Sequence, residues 1–452
     1  MTRKYKTVDY EAALDESIRV RDALPADHLA RFVVDLVVQL DLSSIYERYG
    51  VRGGVAYAPE VLLALLFYGY ATGLFSSRKL ERATYESLPF RFVAGGLHPD
   101  HDTLANFRKT FRWQIRELFV QVLLVAQAAG YLTLGNISLD GSKVHANASK
   151  SRAVSYKRLL ELEAQLSVEV DQLLRLAESA DQQSLPEGLN VSDEVAFREQ
   201  RLARLAEAKA VLKARAEERY EAEKAEQEAK MRQREEKASK TGRKPRGQPP
   251  QPPTAGPQDK DQYNFTDPES RIMKCSSNGG FEQSYNTQVA VDQQTMLIVG
   301  CALSNHPNDK QEAEPTLDAI PSQLGVPSAV AMDNGYFSEN NILVCLARDI
   351  DPYIATGREP HHRSWQERFA EEPEPLPEDA SPSVKMAHKL QTAIGQAIYG
   401  VRKSTVEPVI GIIKAVLGFR QFSMRGLDTA SCEWRLVCLA FNIKRLHTLS
   451  FG

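Results

Sequence analysis

From about residue 26 to residue 130 apolar positions recur at spacings of three and four, as in Leu29, Phe32, Val33, Leu36, Val37 and Leu40. No stretch there shows the alternation that a half-buried strand requires, so the pattern predicts helices throughout. The densest run, Val61 to Leu74, is too short to span a bilayer comfortably and is flanked by Glu60 and Arg78. It predicts a buried core helix, with Pro59 in the first turn, where the missing N–H is no loss. Ser76 or Ser77 is placed to cap a next helix whose Arg78, Lys79 and Arg82 face solvent. A further basic amphipathic stretch carries Arg108, Lys109, Arg112 and Arg116, suited either to phosphate contacts or to an ordinary solvated face.

The period changes at Leu134. In NISLDGSKVHANAS, Ile137 and Leu139 point one way while Ser138, Asp140 and Ser142 point the other, which predicts a strand. Residues 151 to 240 are rich in Ala, Glu, Lys, Arg, Gln and Leu, with opposite charges three and four apart, and predict a long solvated helix or helical hairpin. The Pro- and Gly-rich residues 237 to 262, with Lys240, Arg243, Lys244 and Arg246, read as a flexible linker. Strand patterns return in RIMKCSS, FEQSYNTQVAVD and TMLIVGCALS, an antiparallel meander whose first turn is Asn278-Gly279-Gly280. A short helix ending near Leu324, a buried strand SAVAMD, a helix SENNILVCLARD and a strand PYIAT follow. Residues 357 to 388 look irregular and acidic, and the chain ends in helices. Without the segment 151 to 262 the order is that of an α/β protein with an antiparallel start and a parallel continuation.

Composition adds little. The chain has 452 residues, 42 % apolar and 25 % charged, enough to bury a core, and its 56 Lys and Arg against 59 Asp and Glu leave a net charge of −3. Any nucleic-acid binding must therefore come from local basic patches. Cys275, Cys301, Cys345, Cys432 and Cys438 form no CxxC pair and no zinc spacing, and the first residues lack the apolar core of a signal peptide, so the expectation is a reduced, intracellular protein.

The chemistry lies in carboxylates. Asp140 sits on the polar side of a strand, and Asp333 ends an apolar strand at the position where open α/β sheets form functional crevices. Taken singly, Asp-Gly and Asp-Asn-Gly are ordinary turn signals. A third carboxylate, Glu407, lies in YGVRKSTVEPVIGIIK; a continuous helix would put Tyr399, Lys403, Glu407 and Lys414 on one face, but Pro408 implies a start near Ser404 or Thr405, or a kink. Three converging carboxylates repel one another unless a cation is present, and hard oxygen donors suit Mg²⁺ or Mn²⁺. Two such ions about 4 Å apart can activate a water or a DNA 3′-hydroxyl and stabilise the leaving oxygen of a phosphodiester. Lys403 or Arg402, with Lys414, would sit where the phosphates approach. No phosphate loop, HExxH or GxSxG motif competes. His145, the pair His361-His362 and Trp365 read better as packing or loop residues than as site residues.

Together these segments resemble the insertion-sequence transposases of the DDE superfamily. The resemblance covers APEVLLALLFYGYATGLFSSRKLERATYESLPFRFVAGGLHPDHDTLANFRK, SLDGSKVHANASK, NFTDPESRIMKCSSNGGFEQSYNTQVAVD, SNHPNDKQEAEPTLD, AMDNGYFSE and VEPVIGIIK. It implies an RNase H-like mixed sheet with helices on its faces, built from residues 131–150 and 263–452. An all-α domain for DNA binding and dimerisation would precede it over residues 1–130, and the helical insertion 151–262 would interrupt it. Asp140, Asp333 and Glu407 match the family's catalytic, metal-holding triad, with Tyr399, Arg402, Lys403 and Lys414 as candidate DNA contacts. The family's signature around the glutamate fits Tyr399 to Arg402 and Glu407 to Lys414, but four residues separate Arg402 from Glu407 where three are expected, a spacing that Lys403 has. The resemblance implies cleavage of element ends and their joining to target DNA, two Mg²⁺ or Mn²⁺ ions, double-stranded DNA as partner, a homodimer, and a bacterial cytoplasmic, nucleoid-associated location. The rival readings are a structure-selective nuclease on the same fold, a non-catalytic DNA-binding relative, and a structural protein built around the insertion.

Overall fold

The computed structural model describes residues 19–50, 55–179, 188–241, 248–274, 279–357, 376–377 and 380–452. Cys275, Asn278, His361, His362, Trp365 and the basic residues Arg243, Lys244 and Arg246 lie outside them. The chain forms two compact units, Met1–Asn147 with Met273–Gly452, and Ala148–Ile272.

In the first unit the early chain is helical, as its periodicity predicts: α1 (Leu29–Val38), α2 (Ser43–Tyr46), α3 (Pro59–Ala71), α4 (Ser77–Glu86), α5 (Leu88–Val93), α6 (His101–Thr110) and α7 (Arg112–Ala128). Helix α3 starts at Pro59 and is buried from Leu62 to Ala71, because apolar residues surround its whole circumference. Among the described residues no helix is long and apolar enough to cross a membrane. Ser76 occupies the N-cap position of α4 but its side chain makes no capping bond. Arg78, Lys79 and Arg82 are exposed as expected. Arg108 is not part of a solvated basic face: its guanidinium donates to the Tyr70 hydroxyl and lies 3.9 Å from the fully buried Glu433. The reason is helix phase, since α6 buries Leu104 and Phe107 and carries the next residue inward beside them.

A six-stranded mixed sheet follows. Strand β1 (Asn136–His145) pairs antiparallel with β5 (Phe281–Asp292) and parallel with β7 (Ala329–Met332), which pairs parallel with β8 (Asp351–Ile354). Strand β6 (Ile298–Ser304) runs antiparallel on β5, and β4 (Arg271–Lys274) also neighbours β5. The antiparallel start and parallel continuation are those expected. β6 is shorter than its apolar run, because Asp292 folds the preceding residues into a turn by accepting from Thr295 N (2.8 Å) and Oγ1 (2.7 Å). Helices α10 (Ala313–Asp318) and α11 (Glu339–Leu346) connect the later strands. Beyond β8 come α12 (Pro382–Gln391), α13 (Ala393–Gly400), α14 (Arg402–Gly411), a π-helical segment Ile412–Val416, and α15 (Leu427–Phe451). The irregular stretch expected to reach residue 388 thus gives way to helix at Pro382, capped by Ser381. Helix α15 is buried along most of its length and packs against α3, α7 and β6. Its Asn442 pairs with both backbone groups of Ile298, 2.8 Å to N and 2.7 Å to O. That satisfies polar backbone which burial would otherwise leave unpaired. Cys301, Cys345, Cys432 and Cys438 are buried free thiols.

The second unit is a helical hairpin of α8 (Tyr156–Ser179) and α9 (Val191–Thr241), with a small antiparallel pair of β2 (Ala153–Ser155) and β3 (Gln262–Asn264). Leu159, Leu166, Leu205, Ala208, Leu212 and Tyr263 form its core. The strand pair escapes the sequence pattern because three residues are too few to show alternation. Pro-rich residues from Gln248 onward lie against α9 rather than swinging free: Gln227 donates to the carbonyl of Pro250, and Arg219 to those of Gly256 and to the carboxylate of Asp261.

Candidate active site

The site forms where β1 passes beside the end of β7. Asp140 points from the middle of β1 toward α14, and Asp333 follows the last residue of β7, capping a single 3₁₀ turn, Asn334–Tyr336, by accepting from Gly335 N at 2.8 Å. Three contacts along one face of β1 hold the C-terminal helices in place. Thr405 Oγ1 donates to Ser138 Oγ at 2.9 Å, Arg402 Nη1 to Asp140 Oδ2 at 2.9 Å, and Lys414 Nζ to Ser142 Oγ and to the Lys143 carbonyl (2.7 Å). The predicted alternation of Ser138, Asp140 and Ser142 is the reason these three residues share that face.

The helix bearing Glu407 begins at Arg402, ahead of the Ser404 or Thr405 start expected from Pro408, and Pro408 lies inside it. Pro408 lacks an N–H, so the helix forfeits one bond there, and the backbone widens into the π segment from Ile412. The break at Val401 also separates Tyr399 from this helix. Arg402, Thr405, Val406 and Val409 take the buried face, while Lys403 and Glu407 are exposed. Arg402, its side chain only 6 % exposed, therefore reaches the carboxylates: its Nη2 is 3.8 Å from Glu407 Oε1 while Nη1 holds Asp140. Tyr399 is buried with Ala329, Ala331, Tyr353 and Ala355, its ring 5.8 Å from the Arg402 guanidinium carbon. His145 bonds through its backbone to Arg420 and Phe422.

Burial pushes the Asp140 carboxyl up to about 6; Arg402 opposes that rise and the charge of Asp333 adds to it. Burial disfavours the Arg402 cation, yet Asp140, Tyr399 and Asp333 outweigh it and raise the Arg402 pKa. Arg402 Nε is a buried donor with no partner among the described residues. One guanidinium thus serves both Asp140 and Glu407 while Asp333 repels Asp140, and Lys414 lies further along the same face of β1 at Ser142. Among the described residues no three His, Cys, Asp or Glu side chains are assembled to hold a metal ion. Even so, carboxylate oxygens are hard donors, and Asp140, buried and repelled by Asp333, suits a divalent cation of the magnesium type.

One acidic residue in this neighbourhood was not singled out in the sequence. Asp309, in the loop after β6, accepts at Oδ1 from Asn286 Nδ2 (2.7 Å), Gln288 Nε2 (2.9 Å) and Lys143 Nζ (3.2 Å). It lies beside Gly141, where a Cβ would collide with Gln288 Nε2 and come within 2.9 Å of Asp309 Oδ1. The available signal was the run of polar residues on β5, where Asn286 and Gln288 are fully buried.

Residues 18–110 match a family model described as a transposase domain (DUF772), and residues 376–447 match one described as a transposase DDE domain. The two matches support an insertion-sequence DDE transposase. Neither the curated proteins nor the solved structures gave a match. The second matched region runs from α12 to α15 and holds Arg402, Glu407 and Lys414; the first covers α1 to α6.

Proposed function

We propose that this transposase cleaves the ends of an insertion sequence and joins the freed 3′-hydroxyls to target DNA, with Asp140, Asp333 and Glu407 as the acidic triad. The observation that carries the reading is the bridging of Asp140 and Glu407 by Arg402, beside an Asp333 close enough to raise the Asp140 pKa. The mixed sheet, antiparallel through β6, β5 and β1 and parallel through β1, β7 and β8, supports an RNase H-like catalytic domain.

Asp140, Asp333 and Glu407 would hold two Mg²⁺ or Mn²⁺ ions, which when bound activate an attacking water or hydroxyl and stabilise the leaving oxygen. Asp140 must be ionised for this, a state that its burial opposes and Arg402 favours. Arg402 orients the Asp140 and Glu407 carboxylates through Nη1 and Nη2. Lys414 braces the π segment against β1 through Ser142 and Lys143, and Lys403 adds exposed positive charge on the rim. Tyr399 is buried beside Arg402, its ring 5.8 Å from the guanidinium carbon, and supports it from within the fold. The substrate is double-stranded DNA, and two bound ends imply a homodimer. Magnesium dependence belongs to the same proposal.

The test is purified protein with a supercoiled plasmid carrying the element and its flanks, in Mg²⁺ or Mn²⁺. Wild type cuts at the element's ends and yields joined products, and Asp140→Ala, Asp333→Ala and Glu407→Ala do not. End binding without cleavage under either metal would overturn the proposal in favour of a DNA-binding relative, and cleavage without joining in favour of a nuclease.

A further inference from the structure

Resting on that reading of the site, we infer that Asp309 is a positioning residue for Asp333, acting through Gln288 and Tyr336. The loop that carries Asp309 and the turn that carries Asp333 are separate in sequence, yet two independent tethers join them. One is a chain of side chains. The Tyr336 hydroxyl donates to Gln288 Oε1, and Gln288 Nε2 donates to Asp309 Oδ1 (2.9 Å) and to Asn286 Oδ1 (3.1 Å). The other is the buried Asn341, whose Nδ2 donates to the carbonyls of Tyr336 (2.6 Å) and of Lys310 (2.9 Å).

The chain has a direction. A carboxylate only accepts, so Asp309 fixes which end of the Gln288 amide faces it, and the carbonyl end is then presented to Tyr336. The Tyr336 ring is fully buried, and burial, with the charges of Asp309, Asp140 and Asp333, keeps its hydroxyl protonated and therefore a donor. Tyr336 closes the 3₁₀ turn that Asp333 caps, so anchoring the phenol anchors the carboxylate three residues earlier. Gly141 is what lets this layer approach β1: the Gln288 amide and the Asp309 carboxylate occupy the space a side chain would need. The two faces of β1 thus divide the work. One aims Asp140 at Arg402, and the other backs the layer that holds the turn of Asp333.

Partners behind a metal ligand, when removed, typically weaken metal affinity by about 10–100-fold. The experiment measures Mn²⁺ binding to the full-length protein without DNA, by the electron paramagnetic resonance signal of free Mn²⁺, alongside melting temperature in EDTA. The variants are Tyr336→Phe, Asp309→Ala and Asp309→Asn, with Asp333→Ala as reference. Tyr336→Phe and Asp309→Ala are expected to bind Mn²⁺ about 10-fold more weakly than wild type, while Asp309→Asn, which keeps an acceptor oxygen, recovers most of the affinity. Tyr336→Phe removes only the hydroxyl that donates to Gln288, so it tests the chain even if Asp309→Ala fails to fold. Wild-type affinity in Tyr336→Phe and Asp309→Ala, with affinity lost in Asp333→Ala, overturns the positioning role and leaves the triad intact. Wild-type affinity in Asp333→Ala itself overturns the triad, and the inference falls with it.

Discussion

The helical hairpin and the crevice are both rich in charge, and they use it in opposite ways. In the hairpin unit Glu163 pairs with Lys209 at 2.6 Å and Glu169 with Arg198 at 2.7 Å, and Asp261, just before β3, pairs with Arg219 at 3.0 Å. The Glu163, Lys209, Glu169 and Arg198 side chains are partly exposed, whereas Arg402 and Asp140 are more buried. In the crevice one guanidinium bridges two carboxylates, and a third, Asp333, pushes against the first. Ion pairing marks a functional site where the account fails to balance, and burial decides how much the imbalance matters, because a desolvated charge cannot borrow its compensation from water.

The contrast breaks most easily at the carboxylates. Asp140→Ala, Asp333→Ala and Glu407→Ala should each reduce metal-dependent cleavage by at least about 10³-fold, since charge stabilisation by a bound ion amounts to several kcal/mol and each 1.4 kcal/mol is tenfold. Quantitative end-cleavage rates decide it, and a loss of only a few-fold in any variant removes that residue from the triad. Arg402→Met probes the other side of the same imbalance. At pH 8, above the Asp140 pKa of about 6, removing the guanidinium leaves buried carboxylate uncompensated, and stability in EDTA should fall by about 3 kcal/mol. Adding Mg²⁺ should recover part of that loss, whereas equal melting curves with and without Mg²⁺ would mean that the crevice does not gain a cation.

A smaller effect should appear in the pH profile. A proton and a cation compete for Asp140, so at low Mg²⁺ the cleavage rate should drop as pH falls through about 6, and raising Mg²⁺ should move the drop to lower pH. An acid limb that ignores Mg²⁺ concentration assigns the titration elsewhere. The stability linkage has its own sign. The folded chain holds this proton more tightly than the unfolded chain, so in EDTA the contribution of Asp140 is present at low pH and is lost as pH rises through about 6.

Much of this was legible in the sequence, and the exceptions share a cause. Pro59 with its apolar run marks α3, and the alternation from Ile137 to Ser142 marks β1, because each pattern is local and is enforced by burial along a whole element. The places of Asp140 within β1 and Asp333 at the end of β7 could be read for the same reason: one interrupts and one ends such a pattern. Arg402 could not be chosen over Lys403, because that choice is helix phase, set by a break at Val401 that no proline or glycine at that residue announces. Asp309 was invisible because it lies in a polar loop with no period, and its partners Asn286 and Gln288 belong to a different element. Arg108 misled for the converse reason, since a basic residue in an amphipathic helix reads as solvated until a buried acid such as Glu433 is known to face it.

The smallest expected effect tests the comparison from the hairpin side. By distance alone, Lys209 and Glu163 at 2.6 Å form a tighter pair than Arg402 and Asp140 at 2.9 Å. Distance is the wrong measure. The Lys209 and Glu163 side chains are 26 % and 31 % exposed, against 6 % and 18 % for Arg402 and Asp140, so water and salt screen the hairpin pair more, and holding two long side chains in one geometry consumes much of the gain. Lys209→Ala and Glu163→Ala should each change stability by less than about 1 kcal/mol, with a coupling of about 0.5 kcal/mol in the double-mutant cycle that shrinks further at 0.5 M salt. Denaturant unfolding of the four proteins measures it. A coupling near 3 kcal/mol would put the hairpin's pairs on the same footing as the buried Arg402 cluster, and balance of charge would then no longer separate a structural network from a site.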